Sequence, residues 1–228
     1  MRAAPILLAA AALLPISGAR ATPPSIAPHP AYYRPIVADG LTFPVARTNW
    51  YSVIEFEDDW HDPRFRLTDG RWRLVGLHEG LDIVAEEGTP VLSMSAGTIE
   101  KVGWTFYSGT RVGLRGSDGR YYFYAHLSAV SPRVVPGAKV EPGTVLGRVG
   151  NTGYGPPGHR DEFPPHLHLG IQSGGKWVSP YAEVERLYRA TTRATSRGER
   201  RLARLAVAGD AETFERVAET LYASLDEE

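Results

Sequence analysis

Nineteen of the 24 glycines fall between Gly76 and Gly175, where they punctuate short runs of β-branched and aromatic residues. Glycine at that density weakens helices, and the runs between turns are of strand length, so this stretch predicts a mainly β domain of short antiparallel strands. Arg111 to Arg115 and Arg120 to Leu127 flank Ser117-Asp118-Gly119 and read as a hairpin. Thr89 to Ser95 and Thr98 to Gly103 flank Ala96-Gly97 and read as another. Further strands are expected at Lys139-Val140, Val145 to Val149 and Leu167 to Gln172. After Pro180 there is no proline and glycine is rare, which predicts a helical tail: Glu199 to Ala208 ending at Gly209, then a second helix capped by Asp210 with Phe214, Val217, Leu221 and Leu225 on one face. This helical hairpin is expected to pack on the β domain.

The start of the chain has a different character. Arg2, the apolar run Ile6 to Ile16 and Ala19-Arg20-Ala21 read as a signal peptide over residues 1–21, cut after Ala21; the run is broken by Pro15 and is short for a membrane span. Residues 22–40 form a proline-rich arm. The β domain is then taken as 41–182 and the helical extension as 183–228, with Trp50, Trp60 and Trp72 as packing residues in the stretch before the glycine-rich region. The expected product is periplasmic or extracellular and monomeric, with no membrane span after leader removal.

Composition narrows the chemistry. The formal net charge is -1, and losing Arg2 and Arg20 with the leader makes it more negative, which argues against nucleic acid as a partner. There is no cysteine, so disulfides, thiolate metal sites and a thiol nucleophile are excluded, and any metal must be held by His, Asp or Glu.

Four of the seven histidines stand in patterns with geometric meaning. In His166-Leu167-His168 a strand places both imidazoles on one face and Leu167 and Leu169 on the other. His78-Glu79-Gly80-Leu81-Asp82 begins like a zinc-protease helix but ends in Asp and contains Gly80, so it is not read as that helix. Fully extended, it would separate His78 from Asp82 by about 13 Å, so sharing an ion requires a bend, which Gly80 permits. In Tyr121 to Ser128, period two places Tyr122, Tyr124 and His126 on one face.

Taken in order, His78-Glu79-Gly80-Leu81-Asp82, Gly88-Thr89-Pro90-Val91, Ala96-Gly97, Tyr124-Ala125-His126-Leu127-Ser128, the run Gly147 to Gly153 and His166-Leu167-His168 resemble the lysostaphin and LytM type of peptidoglycan endopeptidase over residues 76 to 182. Phe43-Pro44-Val45 and Asp59-Trp60 look like that family's approach to its catalytic domain. The resemblance implies an antiparallel β-sheet cradle (a duplicated hybrid motif) with one zinc ion held by His78, Asp82 and His168. It implies His126 and His166 as metal-free catalytic histidines, and the peptides of bacterial peptidoglycan as substrate. Glu79 is a lesser candidate for the base. The alternative is a non-catalytic or latent wall-binding regulator on the same fold, with Asn49 or the loop from Tyr154 to Pro165 filling the water position. A biotinyl or lipoyl carrier, suggested by Ser93 to Gly97, fails because no lysine occupies that turn.

Two departures from the family stand out. Twelve residues, Tyr154 to Pro165, separate Gly153 from His166, about twice the usual length, and are expected to form groove wall, with His159 as a possible extra ligand and Arg160 pairing with Asp161 or Glu162. Leu169-Gly170 replaces an aromatic and a polar residue beside the site. Trp104, Tyr107 and Tyr154 are candidates to line the groove.

Overall fold

Short alternating runs closed by glycine turns become strands, and their buried faces stack on one another. The structure is a computed structural model that describes residues 25–26, 37–47, 53–208, 211–213 and 216; the leader and Asn49 lie outside the described residues. In chain order the early strands are β1 (Ser25–Ile26), β2 (Val37–Ala38), β3 (Leu41–Thr42), β4 (Ile54–Glu55), β5 (Pro63–Thr68) and β6 (Arg71–Leu77). Next come β7 (Leu81–Ala85), β8 (Pro90–Leu92), β9 (Gly97–Thr105), β10 (Gly109–Gly116) and β11 (Tyr121–Leu127). The series closes with β12 (Ala129–Val130), β13 (Lys139–Val140), β14 (Val145–Arg148), β15 (His166–Ser173) and β16 (Lys176–Val178), followed by helix α1 (Tyr181–Ala208).

The main sheet runs β1-β13-β9-β10-β11-β15-β7-β4, with β16 continuing along β15 beyond β7. Every pairing in it is antiparallel except β1 with β13. A smaller sheet, β12-β14-β8, covers part of its apolar face. The approach segment extends that cover: Leu92 N–H donates to Pro44 O at 2.7 Å and Ala46 N–H to Pro90 O at 2.9 Å, so Phe43 and Val45 are buried.

The hairpin expected around Ser117-Asp118-Gly119 is β10–β11. The hairpin expected around Ala96-Gly97 does not form. Residues 90–92 instead pair with β14, while β9 pairs with β10 and β13, so Ala96-Gly97 is a crossing between two sheets. A β-carbon at Gly97 would come within 2.2 Å of Arg115 O, so this glycine serves close approach, which a turn motif does not distinguish. Trp72 is also corrected: it is 71% exposed, on the freestanding β5–β6 hairpin.

Tyr122, Tyr124, Leu114, Leu127, Leu146, Leu167 and Leu169 are buried in one core, each large side chain contributing about 1.5–3 kcal/mol by burial. Tyr124 hydroxyl accepts Met94 N–H at 2.9 Å, so even this deep oxygen has a partner. Helix α1 buries Val184 and Leu187, packs Tyr188 tilted against Phe43 and edge-on to Phe56 (centroids 5.2 and 5.3 Å), and ties Glu183 to Arg120 at 2.8 Å. It begins at Tyr181 and runs through Gly198 without a stop, earlier than the expected start at Glu199. Residues 211–213 and 216 are helical too; most of the second helix lies outside the described residues. Among the described residues no helix is long and apolar enough to cross a membrane.

Candidate functional site

Strand β15 pairs with β7 so that His168 stands directly opposite Asp82 and His166 opposite Val84. Paired antiparallel residues share a face, so His166, His168 and Asp82 open on one side of the sheet while Leu167, Leu169, Leu81 and Ile83 enter the core on the other. His78 comes from the end of β6, where its N–H donates to Asp62 O and its own carbonyl accepts His61 N–H, both at 2.9 Å. The turn through Glu79-Gly80 then brings His78 back over Asp82. Gly80 matters here by its missing side chain: its backbone is not in the left-handed region, but a β-carbon would lie 2.3 Å from His168 Cε1.

The result is a triangle of donor atoms. His78 Nε2 lies 2.9 Å from His168 Nδ1 and 3.1 Å from Asp82 Oδ1, and His168 Nδ1 lies 2.9 Å from the same oxygen. Tetrahedral zinc with bonds of about 2.0–2.1 Å has ligand–ligand edges of about 3.3 Å, so the triangle is close to one face of such a site. Asp59 supplies the supporting contact that metal-binding imidazoles need: its Oδ2 is 3.1 Å from His78 Nδ1, which holds the proton there and turns the Nε2 lone pair inward. Asp59 Oδ1 is buried with no partner among the described residues. Burial opposes a charge on His78, but hydrogen bonds to Asp59 and Asp82 outweigh it and push the imidazole up to about 9. Burial alone would raise Asp82, yet hydrogen bonds from His168 and His78 hold its carboxyl well below the usual carboxylate range. A field that favours a proton on His78 favours positive charge in general, and a cation displacing that proton would meet two imidazole nitrogens and a carboxylate, so the residues fit a zinc ion. Among the described residues the group comprises these three.

His126 reaches the same groove by a different device. Regular alternation would send it into the core with Tyr122 and Tyr124, the face the sequence pattern assigned. The β10–β11 ladder instead shifts register between Thr110 and Val112, and His126 adopts a φ of 62°. This bulge turns the imidazole to the opposite face, 4.8 Å between ring centroids from His166 and 5.9 Å from His168. The segment after β14 holds it there: His126 Nδ1–H donates to Thr152 O at 2.7 Å, and Thr152 hydroxyl donates to Leu127 O while accepting Thr110 N–H. That close packing uses Gly109 and Gly153, both at positive φ and both within 2.4 Å of the facing chain for any added β-carbon.

His166 Nδ1–H donates to Pro164 O at 2.9 Å, so both non-ligand imidazoles are fixed in one tautomer with Nε2 available. Burial, with His166 as neighbour, lowers His126 to about 3; burial also lowers His166. Both are held neutral.

The open groove, about 490 Å³, is walled by Tyr107, Tyr154, Phe163 and Pro164 on one side and by Phe123 and Trp177 on another. The loop from Tyr154 to Pro165 thus supplies groove wall. Gly170 acquires a reason, since a β-carbon there would meet Trp177 Cζ3 at 2.7 Å; its absence lets Trp177 meet Phe123 edge to face, and Phe123 meets His168 in the same way. Trp104 does not line the groove but braces the loop through Nε1–H to Gly155 O at 3.0 Å. His159 bonds Glu162 at 2.8 Å and stays outside the donor triangle, and Arg160 forks onto Glu87 (2.7 and 2.8 Å) besides touching Asp161. Glu79 lines the groove. Sequence reasoning missed Arg64, whose Nη2 donates to Asp82 Oδ2 at 2.9 Å, and gave Asp59, Phe123 and Trp177 no role. The alternation Arg64-Phe65-Arg66 was the available signal for the first; Asp59 carried none.

Comparison with known proteins relates the chain to a peptidase family. The model of peptidase family M23 matches residues 76–180. The chain is 44% identical over 113 residues to the L-Ala--D-Glu endopeptidase of Bacillus subtilis, covering 48% of this chain and 35% of that one. It is 38% identical over 96 residues to lysostaphin of Staphylococcus staphylolyticus, covering 41% of this chain and 18% of lysostaphin. A crystal structure from Ruminococcus gnavus, assigned as a glycyl-glycine endopeptidase lytM, superposes with a TM-score of 0.54 at 32% identity, over 65% of this chain and 60% of that one. The chain thus spans about a third or less of the length of these two curated relatives.

Proposed function

Because the model of peptidase family M23 matches residues 76–180, we propose that this chain is a zinc-dependent endopeptidase that hydrolyses peptide bonds of bacterial peptidoglycan. His78, Asp82 and His168 hold the ion. Bound there, zinc supplies the Lewis acidity that polarises a peptide carbonyl and acidifies a water. His126 and His166 do the proton work: with Nδ1–H committed to Thr152 O and Pro164 O, each presents Nε2 to the groove. The pair takes a proton from the attacking water and delivers one to the leaving amine, and the protonated imidazole stabilises the developing oxyanion. Tyr107, Phe123 and Trp177 give an extended peptide an apolar bed. Substrate of this kind lies outside the cytoplasmic membrane, and residues 1–21 are proposed as the export signal that carries the chain there.

The observation that carries the reading is the donor triangle with two metal-free imidazoles beside it. Incubation with cross-linked sacculi, followed by analysis of the released peptides, tests it. Cleavage by the wild type and none by His166→Ala is the expected outcome. Zinc bound at one ion per chain with no peptide released from any sacculus preparation would instead favour a regulatory role on the same fold.

A further inference from the structure

The β5–β6 hairpin is built with two unlike faces. Its ladder pairs Phe65 with Leu74, Leu67 with Trp72 and Arg66 with Arg73, while Arg64 pairs with Gly76 across a bulge that leaves β5 regular. Phe65, Leu67, Trp72 and Leu74 therefore share one face, and Arg64, Arg66 and Arg73 the other. Which face turns toward the groove is settled by contacts. Arg64 reaches Asp82 and lines the groove, and Arg66 touches the groove residue Tyr107, Nη1 to hydroxyl at 3.4 Å, with its guanidinium 5.7 Å from the Phe106 ring. The arginine face is the inner one.

That face is unbalanced. Like charges directly opposite in an antiparallel pair repel, yet Arg66 faces Arg73, and among the described residues no carboxylate pairs with either. Arg64 meets two carboxylates, Asp82 at 2.9 Å and Asp59 at 3.7 Å, both belonging to the metal centre and both through Nη2. Its Nε and Nη1 donate to nothing among the described residues, and its side chain is 39% exposed. Arg64 is also the one Lys or Arg among the groove-lining residues, the rest of the wall being mostly aromatic or apolar. Beside a cleft rich in aromatic rings, Arg66 and Arg73 face no carboxylate among the described residues, and Arg64 keeps its Nε and Nη1 edge open.

We propose that Arg64, Arg66 and Arg73 form a carboxylate-reading strip that selects acidic stem peptides, carrying carboxylates of the D-glutamate or diaminopimelate kind, over uncharged glycine bridges. This rests on the peptidoglycan reading above. Arg64 and Arg66 lie two positions apart on one strand, about 6.6 Å, the repeat of same-side groups along an extended peptide. A peptide crossing the metal centre against Phe123 and Trp177 turns its acidic groups to the hairpin, where planar forks accept carboxylates two hydrogen bonds at a time.

The test compares kcat/KM for a cross-linked acidic stem-peptide dimer, the same dimer with its carboxylates amidated, and a pentaglycine peptide. Calorimetric binding of an uncleavable acidic stem tripeptide to the zinc-loaded protein runs alongside. The wild type is expected to prefer the acidic dimer over both others by about tenfold or more. In the double variant Arg66→Gln/Arg73→Gln the preference narrows mainly through KM, tripeptide binding weakens by a similar factor, and Arg66→Lys/Arg73→Lys restores part of both. Trp72→Ser, on the outer face, keeps the preference. Equal use of acidic and amidated dimers by the wild type, or equal loss in Trp72→Ser, overturns the strip while leaving the peptidase reading intact. Charge-dependent tripeptide binding without cleavage of any substrate upholds the strip and removes the peptidase reading, and charge-independent binding in such an inactive protein overturns both.

Discussion

The two halves of the centre are built by opposite means. On β7 and β15 the groups His166, His168 and Asp82 follow from strand register alone, and the leucines between them anchor the same strands in the core. His78 and His126 sit where the ladder is interrupted, one just before a turn and one on a bulge at φ 62°, each held by a hydrogen bond to a neighbouring segment. The contrast teaches that the sheet fixes two of the three donors cheaply, whereas a third donor and a proton carrier on the same side as His168 require a departure from alternation. Such departures cluster at active centres.

The largest effect should come from removing what both halves converge on. Chelation is expected to abolish peptide release, zinc to restore it, and Asp82→Asn to lower activity by at least about 10³-fold with loss of bound zinc by elemental analysis. His126→Ala separates the halves: zinc content stays near one per chain while kcat falls about 10²–10⁴-fold. A variant that lost its zinc as well would show that the bulge supports the donors and not proton transfer. Asp59→Asn probes the support of the irregular half, weakening zinc binding about 10–100-fold in a competition titration. The mildest change for the metal is on the regular half, where Leu169→Ala should cost about 2–5 kcal/mol in denaturant unfolding yet bind zinc stoichiometrically below its melting range.

The regular half was also the legible one. Period two in His166-Leu167-His168 describes the strand as found, and the glycine-bounded runs locate β10, β11, β13, β14 and β15. The same rule applied to Tyr122, Tyr124 and His126 gave the wrong face for His126, because a bulge is decided by packing of residues 150–153 against β11, a long-range contact invisible to local alternation. Gly80 was understood as permitting a bend; its place against the His168 ring is a fact about residues 88 positions apart. Residues 89–103 misled for a like reason, since a small-residue pair between two apolar runs looks the same whether the chain turns back or passes to another sheet. Asp59 and Arg64 belong to this class too: their partner Asp82 is brought to them by the fold.

Strand β15 has one side in the core and the other in the donor triangle, so folding and metal capture share a structural member. Ion binding to the native chain alone adds stability that grows with the logarithm of free ion concentration, about 4 kcal/mol at a thousandfold excess over Kd. The melting temperature of this protein therefore doubles as a gauge of its occupancy, climbing through a zinc titration even in variants too impaired to turn over any substrate.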